Sequence, residues 1–305
     1  MKRIKIGNKL EASAVSMGCM RIPGMERGAV ANLLKVAIDG GIDFFDHADI
    51  YGGGTAETVF ATAVKDLGIS RDKMLIQTKC GIRNGLFDFS KEHIITSLDN
   101  SLQRLEMDYV DVFLLHRPDT LMEPEEVAEA FAALHKAGKA KYFGVSNHNP
   151  GQILLLNKYL SGNKIIVNQL QFSPAHTGMI DVGLNVNMTN PPSVNHDGSI
   201  LEFCRLEDIT IQAWSPFLYG FFEGVFLGSD KYPELNKAIE EIAAEKNITP
   251  EAVVIAWILR HPAKIQAIPG TTNVDRLKGI CEGCSIELSR AEWYKIYCAA
   301  GNVLP

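Results

Sequence analysis

Four residues of types suited to proton transfer stand far apart in the sequence: Asp46, Tyr51, Lys79 and His116. Each follows a short apolar run typical of a β-strand, and helix-like stretches separate the runs. Because the carboxyl ends of parallel strands meet at one edge, the four side chains are expected to converge on the rim of a parallel barrel. A carboxylate, a phenol, an ammonium and an imidazole placed together indicate proton chemistry on a substrate.

Tyr51 is the expected proton donor of this group. A free phenol has a pKa near ~10 and is a weak acid at neutral pH. Lys79 within hydrogen-bonding reach is expected to stabilise the phenolate and lower the pKa of Tyr51, while Asp46 holds Lys79 in place. His116 is suited to donate a hydrogen bond to a substrate carbonyl oxygen. No side chain of the group is an obvious nucleophile toward carbon, which favours a hydride-donating cofactor.

The elements between these residues alternate along almost the whole chain. Counting from Val15, the apolar pattern predicts eight strands, each followed by helical periodicity, and the chain is expected to end in a further helix. This count predicts an α/β fold, a single-domain (β/α)8 TIM barrel spanning residues 1–305. Residues 2–14 alternate in polarity around Gly7-Asn8 and predict an N-terminal β-hairpin that covers one end of the barrel.

Composition narrows the classes of protein further. The 305 residues are 46% hydrophobic and 22% charged, which predicts one compact globular body. A net charge of −6 offers no basic face, so nucleic acid is not an expected partner. No apolar run approaches the length of a membrane span, and the N-terminus lacks the apolar core of a signal peptide. Six scattered cysteines fit reduced thiols, so a cytoplasmic location is expected, with no indication of oligomeric state.

Several motifs, in order along the chain, closely resemble those of the aldo/keto reductase superfamily. They are Phe45-Asp46-His47-Ala48-Asp49-Ile50-Tyr51-Gly52, Gln77-Thr78-Lys79-Cys80-Gly81, Leu114-Leu115-His116-Arg117-Pro118-Asp119, Gly144-Val145-Ser146-Asn147, Asn168-Gln169, Ala213-Trp214-Ser215-Pro216 and Ile268-Pro269-Gly270-Thr271-Thr272-Asn273. The C-terminal residues 292–305 resemble one bacterial branch of oxidoreductases in that superfamily. The resemblance covers essentially the whole chain.

The resemblance implies an NAD(P)H-dependent reductase of small-molecule aldehydes or ketones, with Tyr51 as general acid, Lys79 and Asp46 as its tuners, and His116 orienting the carbonyl. It also implies that Ser146, Asn147 and Gln169 hold the nicotinamide carboxamide, that Trp214 stacks on the ring, and that residues 215–220 cover the pyrophosphate. The full set of implied cofactor-binding residues is Gly18, Cys19, Met20, Ser146, Asn147, Gln169, Trp214, Ser215, Pro216, Phe217, Gly220, Gly270, Thr271, Thr272 and Arg276. No metal is implied.

Two positions depart from the family pattern at the adenosine end of the cofactor. Many members have a lysine where Gly270 stands, and that lysine pairs with the 2′-phosphate of NADP. Arg276 near a helix N-terminus still favours NADPH, so NADPH is the expected cofactor and NADH the alternative. Several members use an asparagine against the adenine where this chain has Ile280.

Two other functions are alternatives to carbonyl reduction. A metal-dependent barrel hydrolase would use Asp46, His47, Asp49, His116 and Asp119 as ligands, although the paired-histidine spacing of such sites is lacking. A non-catalytic subunit would bind the cofactor and signal through residues 172–198, which form a connection too long for a simple loop. The pair Cys281 and Cys284 has redox or metal-half-site spacing, but nothing in the sequence completes such a site.

Two further features of the sequence are each compatible with two explanations. Residues 216–233 are rich in aromatic side chains, which fits either a lid over an apolar ligand or a loop that packs on its own hydrophobic cluster. Arg117 could attract acidic substrates, but pairing with Asp119 or Asp49 is the favoured explanation.

Overall fold

Eight parallel strands form one sheet that closes into a barrel in this computed structural model, which describes residues 1–305. Each strand pairs with the next in sequence order, and a parallel bridge from Val15 to Ala267 joins the two ends. The strands are Met17–Gly18, Phe44–Asp46, Leu75–Cys80, Val110–Leu115, Ala140–Ser146, Ile165–Gln171, Thr210–Trp214 and Gln266–Ile268. The predicted (β/α)8 barrel is confirmed.

Helices surround this barrel and cover the outer face of its strands. They are Arg27–Asp39, Thr55–Leu67, Lys91–Leu105, Pro124–Lys136, Pro150–Tyr159, Gly178–Leu184, Ile200–Leu206, Pro233–Lys246, Pro250–Arg260, Val274–Gly283 and Arg290–Ala299. Every residue of the strand Val110–Leu115 is buried, as expected where helices pack outside and side chains fill the interior. The expected helix at the C-terminal end is present.

Capping residues explain why several predicted helices begin where they do. Ser90 accepts a hydrogen bond from the backbone N–H of His93, and Thr249 accepts one from Ala252. Asn149 and Gln152 form a reciprocal capping box at the start of Pro150–Tyr159. These side chains satisfy N–H groups that a helix leaves unpaired at its first turn.

The predicted N-terminal hairpin is present as Arg3–Ile6 paired with Leu10–Ser13. Ile4, Ile6 and Ala12 are buried, and the backbone N–H of Gly7 donates to Oγ1 of Thr210 at 2.8 Å. Thr210 begins a barrel strand, so the hairpin covers the end of the barrel opposite the carboxyl ends of the strands.

The long connection 172–198 is partly ordered rather than structureless. It contains the helix Gly178–Leu184 and a 3-10 turn, Pro191–Ser193. The hydroxyl of Tyr297 in the C-terminal helix donates to Oδ1 of Asp181 at 2.7 Å. This connection therefore packs against the end of the chain.

The aromatic segment 216–233 divides into two groups of residues. Phe226 and Tyr219 are buried, and Tyr219 packs against Tyr232 with ring centroids 5.1 Å apart. Phe221 and Phe222 are exposed and lie beside the cavity described below. A small hairpin, Leu218–Tyr219 with Gly224–Val225, links the two groups. One part of the segment anchors it, and the other part lines the cavity.

Candidate active site

Lys79 lies at the centre of the four residues expected to converge. Its ammonium is fully buried and donates to three acceptors: Asp46 Oδ2 at 2.9 Å, the backbone oxygen of His47 at 2.7 Å and Tyr51 Oη at 3.1 Å. An ammonium has three N–H donors, so all are used. Since Tyr51 Oη accepts from Lys79, its own hydrogen is free to point elsewhere. The tyrosine is half-buried and borders a cavity.

Glycines after Tyr51 allow the chain to turn sharply at the strand end. Tyr51 begins a 3-10 turn, and Gly52 and Gly53 have positive φ values of 58° and 64°. Residues with a Cβ rarely adopt these angles. A Cβ on Gly52 would also lie 2.6 Å from Oγ1 of Thr55 and 2.7 Å from Pro23. This geometry fits the rim turn expected from the sequence.

The pKa of Tyr51 differs from the sequence expectation. Burial raises it above 10.0, Lys79 lowers it and the Asp46 carboxylate raises it, with a net increase. The expected decrease is thus only one contribution, and desolvation of the phenolate outweighs it. Burial opposes the charge on Lys79, but the Asp46 carboxylate and Tyr51 outweigh burial and raise its pKa. Tyr51 therefore keeps its proton at neutral pH, as a proton donor must.

His116 lies beside the phenol, with its ring centroid 5.9 Å from that of Tyr51. Burial, together with the charges of Lys79 and Arg117, places the pKa of His116 well below 6.5. The ring is therefore neutral and has one N–H. Its Nδ1 is buried without a partner, so an N–H on Nε2 is the donor that can face the cavity.

A chain of glutamine amides inside the barrel holds Asp46 from below. Gln77 and Gln169 donate their Nε2 groups to Asp46 Oδ1 at 2.6 and 3.0 Å, and both also donate to Gln212. Gln212 donates in turn to Gln266 at 2.7 Å. Sequence reasoning missed this chain, although glutamines recur within four of the predicted strands.

Asp46, Tyr51 and His116 border a cavity of about 520 Å³ at the carboxyl ends of the strands. Of the residues expected at the site, its wall contains Gly18, Met20, Asp46, Tyr51, His116, Ser146, Asn147, Gln169, Trp214, Ser215, Pro216, Phe217, Gly270, Thr271 and Arg276. Lys79 lies beneath the wall. Three expected residues do not reach it: Cys19, Gly220 and Thr272. The Cys19 thiol is fully buried, with Sγ 3.6 Å from the oxygen of Met17.

The cavity wall also includes residues that the sequence did not assign to it. They are Arg21, Ile50, Gly52, Ile82, Arg117, Leu218, Phe221, Phe222, Val225, Leu227 and Ile268. Ile82 lies in a hairpin, Ile82–Arg83 with Leu86–Phe87, that the strand count overlooked. Its Asn84-Gly85 turn is a strong hairpin signal that could have revealed it.

Polar side chains cluster where the carboxamide of a nicotinamide was expected. Asn147 donates from Nδ2 to Ser146 Oγ at 2.7 Å, and Ser146 Oγ donates to the backbone oxygen of Gln169 at 3.0 Å. Trp214 Nε1 donates to Asn147 Oδ1 at 3.4 Å. The indole is thereby tied to the amide cluster. Because these amide and hydroxyl groups line an otherwise aromatic cavity, the residues fit a nicotinamide ring and its carboxamide.

Comparison with known proteins agrees with this geometry. Residues 14–299 match the model of the aldo/keto reductase family. The chain belongs to the aldo/keto reductase family. It is therefore an oxidoreductase that uses a nicotinamide cofactor, and the family acts on small-molecule carbonyl compounds.

Relatives of this reductase extend over the same length. It is 35% identical to the uncharacterized oxidoreductase YcsN of Bacillus subtilis and 33% identical to a 6-dehydroglucose reductase of Agrobacterium fabrum. In both cases 98% of each chain is covered. The crystal structure of a thermostable aldo-keto reductase, Tm1743, in complex with the inhibitor epalrestat superposes with a TM-score of 0.79. That match has 28% identity and covers 98% of this chain and 100% of the other.

The far end of the reductase cavity is where the adenosine phosphate was expected. Gly270, Thr271 and Arg276 line it, and Arg276 Nε lies 3.3 Å from Glu251 Oε1. Asn273 caps the helix Val274–Gly283 by accepting from the backbone N–H of Arg276. Ile280, at the position where several family members use an asparagine against the adenine, is fully buried in the core.

The metal-hydrolase alternative finds no support in the reductase fold. No group of three or more His, Cys, Asp or Glu side chains is arranged to hold a metal ion. His47 packs edge-on against Phe60, with ring centroids 4.5 Å apart, and Asp119 accepts backbone hydrogen bonds from Phe89 and Leu121. Asp46 and His116 share the cavity wall, but no third proposed ligand joins them.

The remaining sequence features have simple structural outcomes. Cys281 and Cys284 are both free thiols, and burial raises the pKa of Cys284 to about 12. None of the helices is both long and apolar enough to cross a bilayer.

Proposed function

We propose that this reductase converts an aldehyde or ketone to an alcohol with NADPH as hydride donor and Tyr51 as proton donor. The observation that supports this most directly is the use of all three Lys79 donors by Asp46, His47 and Tyr51. The phenol hydrogen is left available to a ligand in the cavity, because the phenol oxygen already accepts from Lys79.

Each residue then has one role in the reaction. The N–H of His116 donates to the carbonyl oxygen of the substrate and polarises the bond. A bound nicotinamide supplies the hydride to the carbonyl carbon. Tyr51 gives its proton to the oxygen as negative charge develops there, and the adjacent Lys79 ammonium stabilises the resulting phenolate. Asp46 is a positioning residue that keeps Lys79 charged and in reach.

We also propose which residues bind the cofactor. Ser146, Asn147 and Gln169 hold the carboxamide, Trp214 packs on the ring, and Arg276 pairs with the 2′-phosphate of NADPH. The wall position of Gly18, Met20, residues 215–217, Gly270 and Thr271 supports contacts along the rest of the cofactor. Cys19, Gly220 and Thr272 are not on the wall, so we do not propose them as cofactor contacts.

The free state of all six cysteines supports a reducing compartment such as the cytoplasm.

The decisive experiment compares Tyr51→Phe with wild type. Loss of a general acid is expected to lower kcat by about 10²- to 10⁴-fold while NADPH affinity, measured by tryptophan fluorescence quenching, changes little. Tyr159→Phe removes the same atom from a helix away from the cavity and serves as the matched control. The carbonyl panel includes a sugar-derived aldehyde, because one relative is named a 6-dehydroglucose reductase.

The non-catalytic alternative makes the opposite prediction. A cofactor-binding subunit would bind NADPH and show no turnover of any carbonyl compound in wild type. If Tyr51→Phe instead loses cofactor binding and turnover to the same extent, the phenol acts in binding and the assignment of the proton donor is wrong.

A further inference from the structure

Arg117 is a cation in the cavity wall without a protein partner. It follows His116 directly, is half-buried, and has its guanidinium carbon 5.6 Å from the Trp214 ring centroid and 5.4 Å from that of Phe221. It forms no ion pair and donates no hydrogen bond to protein, while its guanidinium nitrogens remain accessible. A guanidinium has five N–H donors in a planar fork.

The sequence offered Asp119 and Asp49 as partners, and neither pairs with Arg117, so the expected pairing is wrong. Both carboxylate oxygens of Asp119 accept backbone N–H groups, from Phe89 at 3.2 Å and from Leu121 at 2.9 Å. Asp49 is beside Glu57, burial raises its pKa to about 7, and it forms no ion pair with Arg117. The guanidinium is thus left available to a ligand.

The charge balance of the cavity wall is positive. Its only acid is Asp46, which Lys79 neutralises. Its cations are Arg21, Arg117 and Arg276, and Arg276 is at the adenosine end beside Glu251. The rings of Trp214 and Phe221 lie beside the guanidinium, and the apolar Phe222, Ile50 and Ile82 belong to the same wall. Because Arg117 is half-buried, its charge is screened less than one fully in water and attracts an opposite charge on a ligand.

We propose that the substrate is a carbonyl compound with a carboxylate on an apolar, preferably aromatic body, and that Arg117 pairs with the carboxylate. This inference rests on the proposed reduction, since Tyr51 and His116 must hold the carbonyl oxygen at the same time. The planar fork of Arg117 matches the two oxygens of a carboxylate, and such charge-assisted bidentate pairs are the strong ones. Arg117 is in this scheme a specificity-determining residue.

The test compares two aldehydes that differ in charge but hardly in shape: 4-formylbenzoate and 4-formylbenzamide. The quantity measured is the ratio of their kcat/KM values with NADPH. Arg117→Met is expected to lower the acid-to-amide ratio about 10- to 100-fold, the usual effect of losing a hydrogen bond to a charged group. Arg117→Lys retains the charge without the fork, so an intermediate ratio is expected. Arg205→Met removes a charge from an exposed arginine outside the cavity and should leave the ratio unchanged.

Binding separates this inference from the proposed reaction. Dissociation constants of benzoate and benzamide, measured by fluorescence quenching of the NADP⁺-loaded protein, do not require turnover. If wild type reduces both aldehydes and Arg117→Met leaves the ratio where it was, the anionic substrate class is wrong while carbonyl reduction stands. If wild type reduces neither, but an Arg117-dependent preference for benzoate persists, these two aldehydes are not substrates and the anion site stands. Equal binding of benzoate and benzamide to wild type would overturn the anion site itself.

Discussion

At the scale of single residues, the central contact is a buried ammonium that donates to three acceptors. Burial alone would favour loss of the Lys79 proton, but the Asp46 carboxylate at 2.8 Å reverses the outcome and raises the pKa of Lys79. Removing Asp46 would leave a buried charge without its partner, which is far more costly than the pair is stabilising. Asp46 and Lys79 are therefore both required for Tyr51 to have a charged neighbour.

These residues predict a simple pH profile for reduction. The pKa of Tyr51 is raised above 10.0, so the protonated form that donates persists through neutral pH and is lost only as pH rises past that value. The pKa of His116 is well below 6.5, so the ring stays neutral. We expect kcat/KM to be flat between about pH 6.5 and 9 and to fall above about pH 10. A loss of activity that follows one ionisation near pH 7 would contradict this.

At the scale of elements, the helix Val274–Gly283 and the strand end before it contain the residues expected to decide between NADPH and NADH. Asn273 caps this helix through the backbone N–H of Arg276, and the Arg276 side chain lines the cavity and pairs with Glu251. A Cβ built on Gly270 would meet only the backbone oxygen of Gly18, at 3.7 Å. A side chain can therefore begin at position 270 without a clash at its Cβ.

Two substitutions test whether Arg276 recognises the 2′-phosphate of NADPH. Arg276→Ala is expected to raise the NADPH dissociation constant about 10-fold or more and the NADH constant far less, since only NADPH has the extra phosphate. Gly270→Lys is expected to shift the preference in the opposite direction. Fluorescence titration with both cofactors measures these changes. Equal effects of Arg276→Ala on NADPH and NADH would show that Arg276 does not read that phosphate.

The N-terminal hairpin illustrates how one element stabilises another. Its residues alternate, with Ile6 fully buried against the barrel end and the neighbouring Lys5 exposed. Ile6→Ala is expected to lower the free energy of unfolding by about 2–5 kcal/mol, because it leaves a cavity in a packed layer. Lys5→Ala, on the other face, is the control and should change stability by less than about 0.5 kcal/mol. Chemical denaturation measures both.

At the scale of the whole molecule, buried histidines make stability depend on pH. Burial and the charge of Lys79 lower the pKa of His47 to about 3, and burial lowers those of His148 and His261 to about 4. Each folded-state value lies below the ordinary 6.5. The unfolded chain therefore binds more protons between these limits, so stability is present above pH 6.5 and is lost as the pH falls.

We expect these three histidines to make the free energy of unfolding about 4 kcal/mol lower at pH 5.5 than at pH 7.5, and His116, whose pKa is also lowered by burial, adds to the difference. Chemical denaturation at the two pH values measures the difference. His47→Phe, which places a second ring beside Phe60, should reduce it by about 1.4 kcal/mol, the contribution of one histidine. Equal stability at both pH values would mean that the histidines are not buried in their neutral form.

Much of the architecture was predictable because it depends on local patterns. Helices such as Lys91–Leu105 and Pro250–Arg260 follow from the sequence, since their caps and apolar periodicity are encoded within a few positions. The wall position of Tyr51 and His116 follows from strand ends alone, because parallel strands bring their carboxyl ends to one rim.

Other features depend on partners distant in the sequence, and local patterns contain no information about them. Gln212 contacts Gln77 across 135 positions, so the amide chain beneath Asp46 appears only when the barrel closes. The pKa of Tyr51 rises rather than falls because burial is a property of the packed fold, whereas the neighbouring lysine was already evident from the motif. Strand order, strand ends and the residue types at the rim follow from short-range periodicity. Charge balance, desolvation and the free guanidinium of Arg117 arise from packing, which sums contacts over the entire chain.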